Sequence, residues 1–262
     1  MSPSAQTSAA LSAPKSPTSQ AYLAAISYVL SNGEPTGPRR KMTLEVEDYH
    51  FRVDNPDSSP ITTNDEIRNK VIVEYTAKEM ALYREKSNRV EDYAQASSFW
   101  RNIANPDGTI NSAYGYLIWG LKSCGWPEWF SYGYVAADDC DWMTPWDWAK
   151  RSLIKDRDTR QAYLRFSLPR HQWFGNRDQV CTMHGLFLIR QDRLNFSVVM
   201  RSNDLVKGLA YDLPFFVFLM EQMVMELRPH YPNLQVGQYR HLSHSLHIYE
   251  HELPKARAML GG

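Results

Sequence analysis

Two short β-rich runs joined by a charged turn constrain the fold of this chain more than any other feature of its sequence. The runs are residues 186–189 and 194–200, and the turn between them is Arg190-Gln191-Asp192-Arg193. Runs of this composition that flank a short polar turn are typical of a β-hairpin. Gly208 follows, and Asp212 then opens a long apolar stretch that predicts a helix at 215–227. The sequence therefore predicts a rigid unit made of a hairpin and a helix.

Polar side chains with distinct chemistry stand at the ends of this unit. Cys181 lies just ahead of the first run, and a cysteine thiolate is a strong nucleophile. The second run ends in four polar residues, Arg201, Ser202, Asn203 and Asp204. Arginine beside serine suits a phosphate, because arginine offers a planar fork of donors and serine adds a hydroxyl. The simpler alternatives are that Cys181 is a small buried apolar residue and that Asp204 and Asp212 only cap turns or helices.

The block from Cys181 to Asp212 resembles the thymidylate synthase superfamily, and most closely the phage-type deoxycytidylate (dCMP) 5-hydroxymethylases. The matching residues are Cys181-Thr182, the Arg-Ser-Asn-Asp run, Asp212 and, near the end, Ser245-Leu246-His247-Ile248-Tyr249. The separations within the block fit without a gap, and a weaker likeness runs from about Gly33 to Glu250. The resemblance implies an α/β (α+β) fold, a mixed β-sheet with flanking helices, and a homodimer packed through that sheet.

Composition favours one globular enzyme domain with a short tail. Residues 1–19 are mostly Ser, Ala, Pro, Thr and Gln, which cannot form a core, so a disordered tail is predicted. Residues 20–262 are predicted to form a single catalytic domain. The formal net charge is +0, which favours a free small molecule over nucleic acid as partner. Three cysteines are too few for a disulfide framework, which favours the cytoplasm, or a host cytoplasm if a phage encodes the chain. No membrane is expected, because no apolar run approaches the roughly 20 residues of a span.

Hydrophobic periodicity predicts four further elements. They are helices at 21–30 and 64–86 and strands at 42–53 and 162–166. The first of these strands changes phase near Asp48, which is typical of a β-bulge.

Glu79 lies on the apolar face of the helix predicted at 64–86, one turn after Tyr75. Burial there is expected to raise the pKa of its carboxyl and to suit it to proton transfer. The resemblance implies the same role, a glutamate that manages protons and an ordered water. The alternative is a glutamate at a helix boundary that pairs with Arg84 or Lys86.

The resemblance also implies a folate side of the site. Trp100 would pack against 5,10-methylenetetrahydrofolate, Asp204 would orient its pterin ring, and Glu79 would bind near both. Tyr114, in a Tyr-Gly pair, would join the proton network. Taken without the resemblance, Trp100 is more often a core residue than part of a cofactor site.

Arginines for the nucleotide phosphate are implied at three places. Arg39 and Arg40 lie in a Pro/Gly loop, Arg201 ends the hairpin, and Arg160 would be donated across the dimer to the phosphate in the partner's site. Gln161 stands where the family usually has a second arginine, which removes one phosphate donor. A solvated loop is the simpler interpretation of Arg39 and Arg40.

His247 and Tyr249 are two residues apart in an extended run, so their side chains point to one face. The resemblance implies that both bind one sugar hydroxyl of the nucleotide. The histidines of this run raise zinc as an alternative. No cysteine or acidic residue lies at a short fixed spacing to complete such a site, so no metal is predicted.

The chemistry of these residues fits substitution at C5 of a pyrimidine. A thiolate that adds to C6 makes C5 nucleophilic enough to attack a one-carbon electrophile. Cys181 lies beside anion-binding groups, and Arg201 is expected to favour its thiolate. Asp212 stands where thymidylate synthases have asparagine, and it suits cytosine because a carboxylate accepts from N4–H₂ and, when protonated, donates to N3. The expected product is 5-hydroxymethyl-dCMP, formed through a Cys181–C6 adduct.

Several alternatives stay open on the sequence alone. Reductive methylation would give 5-methyl-dCMP, and CMP or dUMP would replace dCMP as the substrate. Outside the enzymes, the alternative is an inactive nucleotide-binding regulatory relative. The Trp-rich stretch at 125–148 matches nothing in the family, so a lid and an interface both remain open for it.

Overall fold

The computed structural model describes residues 15–124 and 142–262, and its centre is one mixed β-sheet. In chain order the elements are α1 (Pro17–Asn32), β1 (Glu34–Thr36), β2 (Thr43–Asp54), α2 (Glu66–Glu85), α3 (Val90–Ala96), α4 (Phe99–Ile103), β3 (Ser123–Cys124), β4 (Trp142–Met143), α5 (Pro145–Lys155), β5 (Tyr163–Arg165), β6 (Thr182–Arg190), β7 (Arg193–Met200), β8 (Asn203–Asp204), α6 (Ala210–Leu227), β9 (Gln235–Tyr249) and α7 (Leu253–Leu260). The strand order is β1-β2-β9-β7-β6-β5, with β8 paired to β9. Strands β7 and β8 run parallel to β9, and the other neighbours are antiparallel. The predicted mixed sheet with flanking helices is confirmed.

The predicted hairpin is formed by β6 and β7, which pair from Arg190↔Arg193 back to Thr182↔Met200. Its turn is only two residues long, because Gln191 and Asp192 adopt φ values of 50° and 56°. Two successive left-handed residues match the twist of the flanking strands, and aspartate tolerates that conformation well. The first strand begins at Thr182, so Cys181 lies directly at its start.

Helix α6 begins earlier than the sequence predicted. Leu205–Leu209 forms a π-helical turn that runs into α6 at Ala210, and the Asp204 carboxylate accepts from the N–H groups of Val206 and Lys207. Asp204 therefore caps the combined segment, and Asp212 lies inside the helix. The interpretation of Asp212 as a helix cap is wrong. The predicted start at 215 is also wrong, because Pro214 lies within the helix and does not begin it.

Helices α1 and α2 form near the positions expected from the sequence, and α1 packs against β2. The predicted disordered tail extends to residue 19, but α1 begins at Pro17 because the Ser16 hydroxyl accepts from the Ser19 N–H. Residues 1–14 of that tail lie outside the described part of the chain. Helix α2 is confirmed, and the Asp65 side chain caps it. Strand β5 is confirmed in a shorter form, Tyr163–Arg165.

The change of side-chain phase in β2 does not come from an inserted residue. The pairing register with β9 is the same on both sides, at Glu47↔Ser245 and Tyr49↔Ser243. Asp48 instead adopts a φ of 49°, and its carboxylate contacts His244 Nδ1 at 2.6 Å. The predicted bulge is therefore wrong in kind, since one left-handed residue turns the side chains without adding to the strand.

The core lies between α6 and the sheet. The expectation that no apolar run approaches the length of a membrane span is wrong, because Leu205–Leu227 is long and apolar enough to cross a membrane by length and composition. Within the described chain 61% of its most apolar stretch is buried, as in the core helix of a globular protein.

Part of the Trp-rich stretch falls within α5. Trp146 is buried and its indole N–H donates to Glu226, while the indole of Trp148 donates to the Gln161 carbonyl. These two tryptophans therefore tie α5 to its neighbours. The rest of the stretch, residues 125–141, lies outside the described residues, and with it the choice between lid and interface.

Candidate active site

Cys181 and Arg201 are held together by the open end of the hairpin. The Arg201 backbone N–H donates to the Cys181 carbonyl at 2.9 Å. The guanidinium donates to the carbonyls of Val180 at 3.0 Å and Gln179 at 2.6 Å, and one of its nitrogens lies 3.6 Å from Cys181 Sγ. The arginine is therefore fixed beside the thiol before any ligand binds.

The groups around Cys181 shift the pKa of its thiol in opposite directions. Burial raises the pKa of Cys181, and Arg201 lowers it. The carboxylates of Asp212 and Asp178 add to the increase, and Arg39 opposes it. The expectation that Arg201 favours the thiolate is right in direction, but the net pKa is raised because desolvation is the larger effect. The surroundings of Cys181 therefore favour the protonated thiol over the thiolate.

Glu79 lies on the buried side of α2, with 7% of its surface exposed. Burial raises the pKa of its carboxyl to about 7, against hydrogen bonds from Tyr83 and Tyr75 that lower it. The Tyr75 hydroxyl donates to Glu79 Oε1 at 3.3 Å, and the Trp100 indole N–H donates to the Tyr75 oxygen at 3.3 Å. Trp100 is itself buried. A carboxyl that titrates near neutral pH is suited to both accept and release protons.

Asp212 lies in the first turn of α6 and faces Asn203. The Asn203 amide donates to Asp212 Oδ2 at 3.3 Å. Burial raises the pKa of Asp212 well above its ordinary value, and the negative charges of Glu79 and Asp204 act in the same direction. The side-chain oxygen of Asn203 is buried and has no partner among the described residues. Gly208 lies beside this corner, and a Cβ there would be in ordinary van der Waals contact with Asp212 Oδ2, at 3.5 Å.

Tyr114 lies between the Cys181 end of the hairpin and helix α2, which carries Glu79. Its hydroxyl accepts a hydrogen bond from Thr182 Oγ1 at 2.7 Å, one residue from Cys181. Burial raises its pKa well above the ordinary value, with Asp212 and Cys181 contributing. Gly115 explains the Tyr-Gly pair, because a Cβ there would lie 2.1 Å from the Tyr83 carbonyl oxygen on α2.

His247 and Tyr249 lie on β9 beside the short strand β8, where Asp204 pairs with His247. Their rings meet edge to face with centroids 5.2 Å apart, so the two side chains share a face as predicted. His247 is buried. Across residues 15–124 and 142–262, no group of three or more His, Cys, Asp or Glu side chains could hold a metal ion.

The remaining arginines are exposed. Arg39 and Arg40 form a short 3-10 turn with φ values of 52° and 63°, an uncommon conformation for two successive non-glycine residues. The charge of Arg39 lowers the pKa of Cys181 and of Tyr249, so this loop lies over the site. Arg160 is exposed between α5 and β5, and no described contact joins it to the group around Cys181.

Two residues with roles in this group were missed from the sequence. Tyr75 bonds to Glu79, and its position one helical turn earlier on the same face was a usable signal. Asp178 accepts from the backbone N–H of Ser112 at 2.8 Å and from its hydroxyl, which ties the Tyr114 segment to the Cys181 segment. No local pattern marked Asp178, since its partner lies 66 residues away.

The sequence that carries this group of side chains matches a known family. The family model described as thymidylate synthase covers residues 20–261, almost all of the sequence. The chain belongs to the thymidylate synthase family. Members of the family use methylenetetrahydrofolate, and the one-carbon transferase expected from the sequence is confirmed as the class of enzyme.

Two curated relatives carry a more specific name, deoxycytidylate 5-hydroxymethyltransferase. The enzyme of Enterobacteria phage T6 is 28% identical over 183 residues, which are 67% of this chain and 67% of the relative. The enzyme of Enterobacteria phage T4 is 28% identical over 159 residues, 59% of this chain and 57% of the relative. The predicted likeness to phage-type hydroxymethylases is confirmed.

A solved structure supports the fold of this thymidylate synthase family member. Thermostable thymidylate synthase A from Bacillus subtilis superposes with a TM-score of 0.66 over 92% of this chain and 83% of that chain. Sequence identity is 16%, so this similarity concerns the fold alone.

Proposed function

We propose that the protein transfers a one-carbon unit from 5,10-methylenetetrahydrofolate to C5 of dCMP and releases 5-hydroxymethyl-dCMP. The observation that carries the proposal is a thiol held 3.6 Å from an Arg201 nitrogen, together with the half-buried carboxyl of Asp212, whose surroundings favour the protonated form. The names of the two phage relatives point to the same reaction.

Cys181 is the nucleophile that adds to C6 of the base. Its raised pKa means that the thiolate forms when a base removes the proton or when the bound nucleotide changes the local charge. Arg201, Ser202, Arg39 and Arg40 hold the phosphate, and the partner's Arg160 supplies a further contact in a homodimer packed through the sheet. This arrangement brings the phosphate close to the thiol and fixes the base above it.

Asp212 selects cytosine. Cytosine presents an acceptor at N3 and a donor at N4, and a protonated carboxyl offers the complementary donor and acceptor. The environment of Asp212 favours that protonated form, because burial and two nearby carboxylates all oppose ionisation. Asn203 orients the group through its hydrogen bond to Oδ2.

Glu79 and Tyr114 manage protons at C5 and at the leaving groups. Burial raises the pKa of Glu79 to about 7, so small changes in its surroundings switch the carboxyl between acid and base. His247 and Tyr249 bind the sugar hydroxyl from one face of β9.

The residues present fit a reduced folate. The Asp204 carboxylate uses Oδ1 to accept from two backbone N–H groups, at 2.8 and 3.1 Å, and no described residue donates to Oδ2. A free carboxylate oxygen suits the N–H donors of a pterin ring, and Trp100 and Glu79 would hold the rest of it. The folate would supply the one-carbon unit at the CH₂ level, and a water molecule would add to the methylene carbon once it is attached to C5, with release of tetrahydrofolate and of the Cys181 thiol. The chain's part is to position both substrates and to leave room for that water.

The test is incubation of the purified protein with methylenetetrahydrofolate and dCMP, CMP or dUMP, with product mass read by mass spectrometry. A gain of CH₂O on dCMP supports the proposal, whereas a gain of CH₂ identifies reductive methylation. Preference for CMP or dUMP would move the assignment to that nucleotide. A protein that binds dCMP but neither forms product nor exchanges the C5 hydrogen is an inactive relative, and the proposal is then wrong.

Fractionation of the producing cells tests the expected cytoplasmic location.

A further inference from the structure

Tyr75 lies at the centre of a chain of hydrogen bonds that ends on Glu79. The two residues are one turn apart on α2, and the Tyr75 hydroxyl donates to Glu79 Oε1 at 3.3 Å. The same hydroxyl oxygen accepts from the Trp100 indole N–H at 3.3 Å. A hydroxyl that accepts one hydrogen bond becomes a better donor in the next. Trp100 therefore strengthens and directs the contact that Tyr75 makes with the carboxylate.

The ring of Tyr75 is held in place by packing on its other side. The Tyr211 ring lies 4.5 Å away, centroid to centroid, and the Arg68 guanidinium lies 5.3 Å over Tyr211. Arg68 is buried, and it donates to the Val206 carbonyl at 2.5 Å in the π-helical turn before α6. Because Tyr75 is fixed between α4 and α6, its hydroxyl has little freedom to leave Glu79.

We propose that Tyr75 is a positioning residue for Glu79, which holds the carboxylate in one orientation and couples it to the indole of Trp100. The inference rests on the proposed function, in which Glu79 moves protons and Trp100 lies against the folate. It adds a residue that touches neither substrate and acts only through these two side chains.

The electrostatics of the site agree with this geometry. Burial raises the pKa of Glu79, and hydrogen bonds from Tyr83 and, to a smaller extent, from Tyr75 lower it. A carboxylate that loses a hydrogen-bond donor binds its proton more tightly. Removal of the Tyr75 hydroxyl is therefore expected to raise the pH at which Glu79 titrates, whereas a residue that only fills space would leave it unchanged.

Tyr75→Phe is the test variant and Tyr93→Phe the matched control. Tyr93 belongs to the same aromatic cluster, with its ring 5.1 Å from Trp100, but its buried hydroxyl has no partner among the described residues. The carboxyl of Glu79 is followed in the ligand-free protein by infrared titration, with its band assigned by subtraction of a Glu79→Gln spectrum. Tyr75→Phe should raise the midpoint by about half a unit to one unit, and Tyr93→Phe should leave it in place. An unmoved midpoint in a folded Tyr75→Phe protein overturns the inference.

Trp100→Phe asks whether the indole acts through Tyr75. Alone, it should raise the same midpoint by a smaller amount, and in a Tyr75→Phe background it should add nothing. Equal effects in both backgrounds would contradict the chain from Trp100 to Glu79.

Steady-state rates separate this inference from the proposed function. If native protein makes no 5-hydroxymethyl-dCMP, the proposed function fails whatever the titration gives. If native protein is active, Tyr75→Phe should lower kcat about three- to tenfold with little change in the KM for dCMP, and its pH profile should shift with the Glu79 midpoint.

Discussion

The carboxyls of the site and three of its arginines differ in how far this chain shields them from water. Glu79 and Asp212 are surrounded by their own core, and burial raises the pKa of each. Arg39, Arg40 and Arg160 are exposed, and of these three Arg39 is close enough for its charge to lower the pKa of Cys181. Under the proposed function, one folded chain would complete the acid and base groups, whereas the phosphate arginines would gain partners only when a ligand or a second chain binds.

Desolvation is the physical reason for this division. A carboxyl inside the protein has its proton affinity set by folding, because water no longer stabilises its charge. An exposed arginine keeps its charge in water and contributes only when an anion arrives. Substitutions in the buried group should therefore change the chemical step and the pH dependence, and those in the arginines should change mainly nucleotide affinity.

The largest effect is expected at the nucleophile. Cys181→Ser should reduce the formation of product by more than about four orders of magnitude, because a serine hydroxyl stays un-ionised at neutral pH. Product is measured by mass spectrometry and dCMP binding by calorimetry. Binding should survive, since Arg201 also donates to backbone carbonyls. Appreciable turnover by the serine variant would remove Cys181 from the mechanism.

Glu79→Gln tests the buried group by activity and by stability. Loss of a proton-transfer group should lower kcat by roughly 10²–10⁴-fold, whereas Glu74→Gln on the exposed face of α2 should have no effect.

The stability of Glu79→Gln relative to the native protein should increase as the pH rises. The native carboxyl has a pKa of about 7, raised from 4.5, so its contribution to stability is fully present below pH 4.5 and lost as the pH rises through 7. Above pH 7, Glu79→Gln should therefore be more stable than the native protein, by on the order of 3 kcal/mol. Chemical denaturation at pH 5 and pH 8 measures the difference, and equal stability at both values would mean that Glu79 is solvated.

Asp212→Asn changes the hydrogen-bond pattern without changing size. Helix α6 should survive, since Asp204 caps the segment and Asp212 lies inside it. The amide fits the donor and acceptor of uracil, and a mismatched polar pair costs about 1–3 kcal/mol, or one to two decades in specificity. The variant should lose turnover of dCMP and gain turnover of dUMP, measured as kcat/KM for each. A native preference for dUMP, or an unchanged ratio, would refute the assignment of Asp212 to the base.

Arg160→Ala tests the exposed half and is expected to have the smallest effect. Loss of one phosphate contact should raise the KM for dCMP about tenfold with little change in kcat, and the exposed Lys155→Ala controls for loss of charge.

Subunit mixing sharpens this test. When an inactive Cys181 variant is mixed with an Arg160 variant, half of the dimers are hybrids with one intact site, so about a quarter of the native activity should return at low dCMP. Verified hybrids without recovery would mean that each chain holds its phosphate alone.

The sequence by itself determined the local units of this protein. The β6–β7 hairpin follows from two β-rich runs and from the short polar turn between them, where Gln191 and Asp192 adopt left-handed backbone. Helix α2 follows from its periodicity, which also put Glu79 on the buried face. The block of Cys181, Arg201 and Asp212 lies on one continuous unit, so its spacing was enough to identify the family.

Only the tertiary structure decided the properties that depend on distant residues. Asp204, and not Asp212, caps the helix because the chain turns helical ten residues before the predicted start, in a π-helical turn that no periodicity marked. The thiol of Cys181 has a raised pKa because burial outweighs the nearby arginine. Tyr75 joins Trp100 to Glu79 across 25 residues of sequence. Desolvation and hydrogen bonding of this kind are set by three-dimensional packing, and local sequence patterns do not encode them.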